Sequence, residues 1–271
     1  MPRIKYKFLF KIGGLILEFK SITNSTYVNE GIEALRLAKE FQDKKSLRKN
    51  FEINKHSKSS RNNCWNQINK RYLTNPNGDL NRVLIKLIDY EDIKLNKELM
   101  FYHYLQEELI FKKTLVNFIY PKLRVDNEYV VKSEDVLFFI GDYLDYASST
   151  MKKTARSIVK ALVDFEIAEV EENKVKVKTY RPELLSVVYA FYSEYAAGVE
   201  ETKNFNILNP SVEHIKEKAE FYKLFLMQPA IVEDYLQRAW KEDYLGYEPR
   251  GGLNQYVLKY KSLNSFVSML L

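Results

Sequence analysis

Residues 148–178 read SSTMKKTARSIVKALVDFEIAEVEENKVKVK, and two periods are visible in that one stretch. Met151, Ala155, Ile158, Leu162 and Phe165 recur at steps of four and three, the spacing of one apolar helix face. At about 100° per residue, Lys152, Arg156, Lys160 and Lys153 fall within one arc on the other side. The acidic residues come later, at Asp164, Glu166 and Glu169, so the helix is cationic in its first half. Ser148-Ser149-Thr150 are the expected cap residues. The period then changes to two. Ile167–Val170 is strand-like, Glu171-Glu172-Asn173 turns, and Lys174, Lys176 and Lys178 alternate with Val175 and Val177, which places three lysines on one face of a strand.

Working outward, a helix is expected from Ser133, with a short turn before Ser148. Helix, turn, basic helix and hairpin from Ser133 to Arg181 is the order of a winged helix-turn-helix, whose second helix meets DNA with its N-terminal residues. A lysine-faced wing suits a phosphate backbone. The plain alternative is a solvated helix and hairpin with surface lysines.

The +6 net charge is unevenly spread. Between Asp43 and Tyr72, nine cations (Lys44, Lys45, Arg48, Lys49, Lys55, Lys58, Arg61, Lys70 and Arg71) face Asp43 and Glu52, a local net of +7, and the rest of the chain nets −1. Such concentration is the electrostatic footprint of a polyanion-binding surface. The spacing predicts helices over about 29–42, 44–53 and 57–73, with Ile32, Leu35, Ala38 and Phe41 inward in the first and Ser57, Ser59 and Ser60 as caps for the third. In that third helix Cys64, Trp65, Ile68 and Tyr72 share one face. Asn62, Asn63, Asn66, Gln67, Asn69 and Lys70 lie opposite, and amides pair with adenine while lysine meets guanine or phosphate. By helical phase Arg61 falls on the apolar side. A basic helix-turn-helix unit over residues 1–75 is the reading, beside the plainer one of a polar face anchored by Trp65.

Few glycines and prolines, 9 and 7 in 271 residues, favour helix over a many-turned β fold. The fold class expected is mainly α with short β-hairpins: the N-terminal helix-turn-helix unit, a helical scaffold over 76–130, the winged unit over 131–200, and a helix–helix–hairpin unit over 201–271. Residues 1–20 read as a short strand or ordered arm around Gly13-Gly14, which no Gly-Lys-Ser/Thr follows. Thr74–Asp79 is the strongest break. Scaffold helices are expected at about 80–90, 96–109 and 110–120, ending near Pro121. Then come a helix from Pro182 to Tyr195, a connector over Gly198–Pro210, helices over 211–226 and 229–241, a hairpin turning at Pro249–Gly252, and a last helix from Ser262. The second helix of that C-terminal unit carries Glu233 and Asp234, which points to packing or a protein partner.

The chemistry-bearing residues are sparse. His56, His103 and His214 are scattered, and Cys64 sits on an apolar face, where a structural thiol is expected. No metal or cofactor is expected. One cysteine excludes an internal disulfide framework. Lys5, Lys7 and Lys11 interrupt the N-terminal apolar run, so it makes a poor signal peptide, and no apolar stretch of about 18 residues reads as a membrane span. The expected setting is the cytoplasm.

End to end the chain resembles the BrxA family, a small component of BREX phage-defence systems. The resemblance is carried by Lys11–Glu18 and by the approach Asn54…Ser57-Lys58-Ser59-Ser60-Arg61 into the helix ending Asn69-Lys70-Arg71-Tyr72-Leu73. It continues through Asp135…Ser149-Thr150-Met151-Lys152-Lys153 to Leu162–Ile167, and then Leu224-Phe225-Leu226 and Tyr256–Leu263. It implies a non-enzymatic, double-stranded-DNA-binding protein built from helix-turn-helix units, acting beside the system's other proteins. Candidate DNA contacts are Lys44, Lys45, Arg48, Lys58, Asn62, Asn66 and Lys70 in the first unit, and Lys152, Lys153, Arg156, Lys160, Lys174, Lys176 and Lys178 in the second. An RNA-binding role and a pure protein adaptor stay open, with a nuclease of spatially gathered acids ranked after them.

Overall fold

The computed structural model describes the chain except residues 1–8, 13, 14, 23, 76, 77, 89–91, 203–209 and 271. The expectations for Lys5, Lys7, Gly13-Gly14, Pro76-Asn77 and most of the Gly198–Pro210 connector fall outside the described residues, whereas the helix expected to run to Tyr90 already ends at Leu87, with Ile88 extended. The architecture is mainly α with short antiparallel hairpins, as expected.

The N-terminal arm is a hairpin of β1 (Leu9–Ile12) and β2 (Leu15–Glu18). Three helices follow: α1 (Val28–Leu37), α2 (Lys44–Asn50) and α3 (Lys58–Ile68), the last running into a π-helical turn over Asn69–Leu73. α1 stops short of the expected Gln42, yet Ile32, Leu35 and Ala38 are buried and Phe41 packs beside them. Asp43 caps α2 by accepting from the amides of Lys45 and Ser46, and Ser57 caps α3 by accepting from Ser60 N at 3.0 Å. Cys64, Ile68 and Tyr72 are buried and Trp65 packs tilted against Phe51. Cys64 is fully buried, and burial pushes its thiol up to about 11, in keeping with a core position.

After α4 (Arg82–Leu87), α5 (Ile93–Glu107) is buried nearly all round, including Asn96 and Glu98, the mark of a central helix. It starts earlier than expected because Asp92 accepts from Leu95 N at 2.8 Å. α6 (Leu109–Thr114) leads into a second π turn, Leu115–Ile119, and α7 (Tyr120–Asp126) runs on through Pro121. The expected stop at Pro121 is therefore wrong. The wide turn relaxes the register where the pyrrolidine ring would strike the preceding carbonyl, and Pro121 begins a new helical segment, where its missing N–H costs nothing.

β3 (Glu128–Val131) was not foreseen: four residues between two helices carry too little pattern. α8 (Ser133–Ile140), α9 (Ser148–Asp164), β4 (Ala168–Glu171) and β5 (Lys174–Lys178) follow. β5 lies between β3 and β4, antiparallel to both. The β4–β5 turn sets Glu172 and Asn173 at φ 50° and 62°, the left-handed pair of a tight hairpin. α9 meets α5 at its C-terminal end, where Phe165 lies 5.3 Å from both Phe101 and Tyr104.

α10 (Leu184–Thr202) is longer than expected. The expected helix over 211–226 is two, α11 (Val212–Lys218) and α12 (Phe221–Leu224), because Glu194 accepts from the amides of Glu220 and Phe221 and starts a fresh turn there. α13 (Pro229–Lys241) opens on Pro229 as expected. β6 (Leu245–Arg250) and β7 (Leu253–Leu258) turn at Gly251-Gly252 alone, with Pro249 inside a strand that has a free edge, and α14 (Leu263–Leu270) closes the chain. Buried side chains from Ile22 to Val267 form one apolar cluster.

Candidate nucleic-acid interface

α9 exposes what its periodicity requires. Met151, Ala155, Ile158 and Leu162 are buried, and Lys152, Lys153, Arg156 and Lys160 are exposed on the other face. The expected cap is displaced. Ala147 precedes the helix with no side-chain cap, and Ser148, Ser149 and Thr150 lie within its first turn. Extended backbone at Ala147 lets the helix begin one residue before the hydroxyls could cap it. Lys152, Lys153 and Arg156 form no ion pair among the described residues, and no acidic side chain stands in the first turn. Their side chains lean towards the helix N-terminus, whose backbone dipole is already positive. Lys160 differs: it pairs with Asp164 one turn on.

The expected bare cationic wing is corrected. Lys176 holds Glu171 at 2.7 Å and Glu128 at 3.7 Å, and Lys178 holds Glu169 at 2.7 Å and Glu171 at 2.9 Å. These carboxylates sit on the flanking strands in diagonal register, so the lysine face is a cross-strand ion ladder. Hydrogen bonds from Lys176 and Lys178 hold the Glu171 carboxyl down at about 2. Lys174, near the hairpin tip, reaches only Glu172 among the described residues, at 4.0 Å. The valines behave as expected, with Val177 fully buried.

In the first unit the charge count likewise overstates the free surface. Arg71 is buried and pairs with Glu108 at 2.8 Å, Lys70 pairs with Glu107 at 3.2 Å, and Lys55 with Glu30 at 2.6 Å. All three carboxylates lie outside the segment that was counted. Arg61 turns inward and donates to Lys55 O at 2.9 Å, matching its helical phase. Lys44 bonds the carbonyl of Gly78, and the Arg48 guanidinium lies 5.2 Å from the Trp65 ring. Lys45 and Lys58 are exposed, as is Lys49, which belongs with them by the same sequence signal. Of the amide face, Asn63 bonds Asn24 and Tyr27 and Asn69 accepts from Thr74, whereas Asn62 and Asn66 are exposed.

Among the described residues no group of His, Cys, Asp or Glu could hold a metal, and no helix is long and apolar enough to cross a membrane. These features define a mainly helical protein carrying short hairpins and one long helix whose first half is an unpaired cationic surface. The chain belongs to the BrxA family of BREX phage-defence systems: the family's sequence model matches residues 19–188, more than half of its length. No curated protein and no solved structure matches it. The family match takes in α1 to α9 and all three strands of the β3–β5–β4 sheet, and ends inside α10.

Proposed function

We propose that this chain is a non-enzymatic, double-stranded-DNA-binding protein of a BREX system, acting in the cytoplasm beside the system's other proteins. The observation that carries the reading is the unpaired trio Lys152, Lys153 and Arg156 on the first half of α9, in a molecule that neutralises most of its neighbouring candidates. The order α7, β3, α8, α9, β4, β5, with β5 central, fits a winged helix-turn-helix in which α9 is the recognition helix. Lysines at phosphates position a protein without specifying sequence, so the contact is mainly to the backbone. Lys45, Lys49 and Lys58, with Asn62 and Asn66, supply a second contact in the first unit. The wing contributes at its tip through Lys174.

The test is a salt-titrated binding assay on duplex DNA, its separated strands and a structured RNA. With six phosphates engaged, duplex affinity falls by about 10³-fold over a fourfold rise in salt. A flat salt response overturns the reading, and tighter binding to the RNA transfers it to that alternative. Purified protein with Mg²⁺ or Mn²⁺ is expected to leave plasmid uncut.

A further inference from the structure

On the far side of the family match, α13 and the β6–β7 hairpin enclose a cleft of about 400 Å³, a size common to ligand sites. Glu233, Asp234, Gln237 and Trp240 recur at helical spacing and share one face of α13. Tyr247 and Tyr256 are directly opposed across the hairpin, so both stand on one face of it. Trp240 lies 5.2 Å from Tyr247, and Tyr247 lies 5.5 Å from Tyr256, which makes a continuous aromatic wall along the carboxylate row. Trp240 is 42% exposed, so its indole presents a face to whatever occupies the cleft.

The charges decide the occupant. Glu233 is answered by Lys216 at 2.9 Å, while Asp234 is exposed and forms no ion pair among the described residues. Arg238, one turn on from Asp234 along the helix, lies 5.2 Å over Tyr235 and does not line the cleft. A phosphate would meet two carboxylates here, and an apolar side chain would leave Asp234 and Gln237 unused. A guanidinium satisfies both halves, since it stacks flat on aromatic faces while donating in its plane to a carboxylate and an amide oxygen. We propose that this cleft docks an arginine-bearing segment of a partner protein, on a surface separate from the α9 cations.

The probe is the pentapeptide Gly-Ser-Arg-Ser-Gly, blocked at both ends, against its citrulline counterpart, which keeps the shape and loses the charge. The readout is the indole N–H resonance of Trp240 in the full chain, assigned with Trp65→Phe and Trp240→Phe. The arginine peptide is expected to move that resonance saturably, with affinity about fivefold or more above citrulline. Asp234→Asn, an exposed substitution, is expected to remove that preference and leave the melting temperature unchanged. Equal responses to both peptides, no movement at about 10 mM, or an unchanged preference in Asp234→Asn would overturn the proposal. So would a Trp240 shift produced by duplex DNA in place of the peptide. The peptide outcomes do not depend on whether α9 binds DNA.

Discussion

Thr26 donates its hydroxyl to the Asp164 carboxylate at 2.6 Å, joining residues 138 positions apart. Asp164 is the last residue of α9 and also holds Lys160. On its other side the same segment is gripped by the first unit: Tyr72 OH donates to Thr26 O at 2.8 Å, and Arg71 Nη1 to Ser25 O at 2.6 Å. Residues 25–26 therefore clasp the basic N-terminal helices to the cationic helix α9. Thr26→Val keeps the shape and removes the donor, and is expected to destabilise the fold by about 1–2 kcal/mol. A lowered urea midpoint with an unchanged m-value would show it.

A fixed clasp has a consequence for binding. Once one basic surface sits on a duplex, the other searches a small volume, so the second contact forms at high effective concentration. Replacing Lys152, Lys153 and Arg156 with glutamine is expected to weaken duplex binding strongly without abolishing it. If each cation meets one phosphate, the slope of log affinity against log salt falls by about 2.7. Replacing Lys45, Lys49 and Lys58 is expected to act in the same direction. Unchanged slopes in both triple variants would remove these surfaces from the interface.

Much of this was legible in the chain because periodicity survives folding. The apolar stripe of Met151 to Phe165, the Lys174–Lys178 alternation and the cap at Ser57 all follow from local geometry. What was not legible is pairing between segments. Nothing near Lys176 announces that Glu128 will stand beside it, because the β3 strand was itself invisible, and the β4–β5 hairpin, though expected, was read for its lysines and not for the Glu169 and Glu171 carboxylates that answer them. Arg71 looked like one more surface cation until Glu108 came to lie beside it. Net charge in a window counts side chains, whereas a binding surface is what remains after tertiary ion pairs are made. The α13 cleft shows the same limit, since Trp240 and Tyr247 meet only when the hairpin packs on α13.

Arg71 and Glu108 carry a prediction of their own. Arg71 is 2% exposed, bonds Glu108 through Nε at 2.9 Å, and stacks 4.6 Å from the centre of Tyr104. Arg71→Met strands a buried carboxylate and the Ser25 carbonyl together, so a loss of about 3–5 kcal/mol is expected. Pairing it with Glu108→Gln removes the uncompensated charge and is expected to recover part of that loss. Thermal melts of the single and double variants form the cycle, and additive losses would mean that the two residues do not act as a pair.

One contribution to the pH dependence of stability comes from His103, whose Nε2 shares a hydrogen bond with Tyr189 OH at 2.7 Å. Burial pulls its pKa from 6.5 down to about 4. The unfolded chain then takes up this proton first as pH falls, so the contribution is complete above pH 6.5 and is lost progressively towards pH 4. His103 as a residue is half-buried, and the expected loss is about 2 kcal/mol. Glu98 opposes it. Burial raises that carboxyl, which accepts from Tyr180 OH and Glu183 N, both at 2.8 Å. Its folded form therefore binds the proton more readily and gains stability on acidification. The two slopes overlap, so a melt of the parent protein alone does not separate them. His103→Gln does: it cannot titrate, and the difference between it and the parent should shrink as pH falls from 7 to 4.5. A difference that is constant over that range would mean that His103 is not held neutral by the fold.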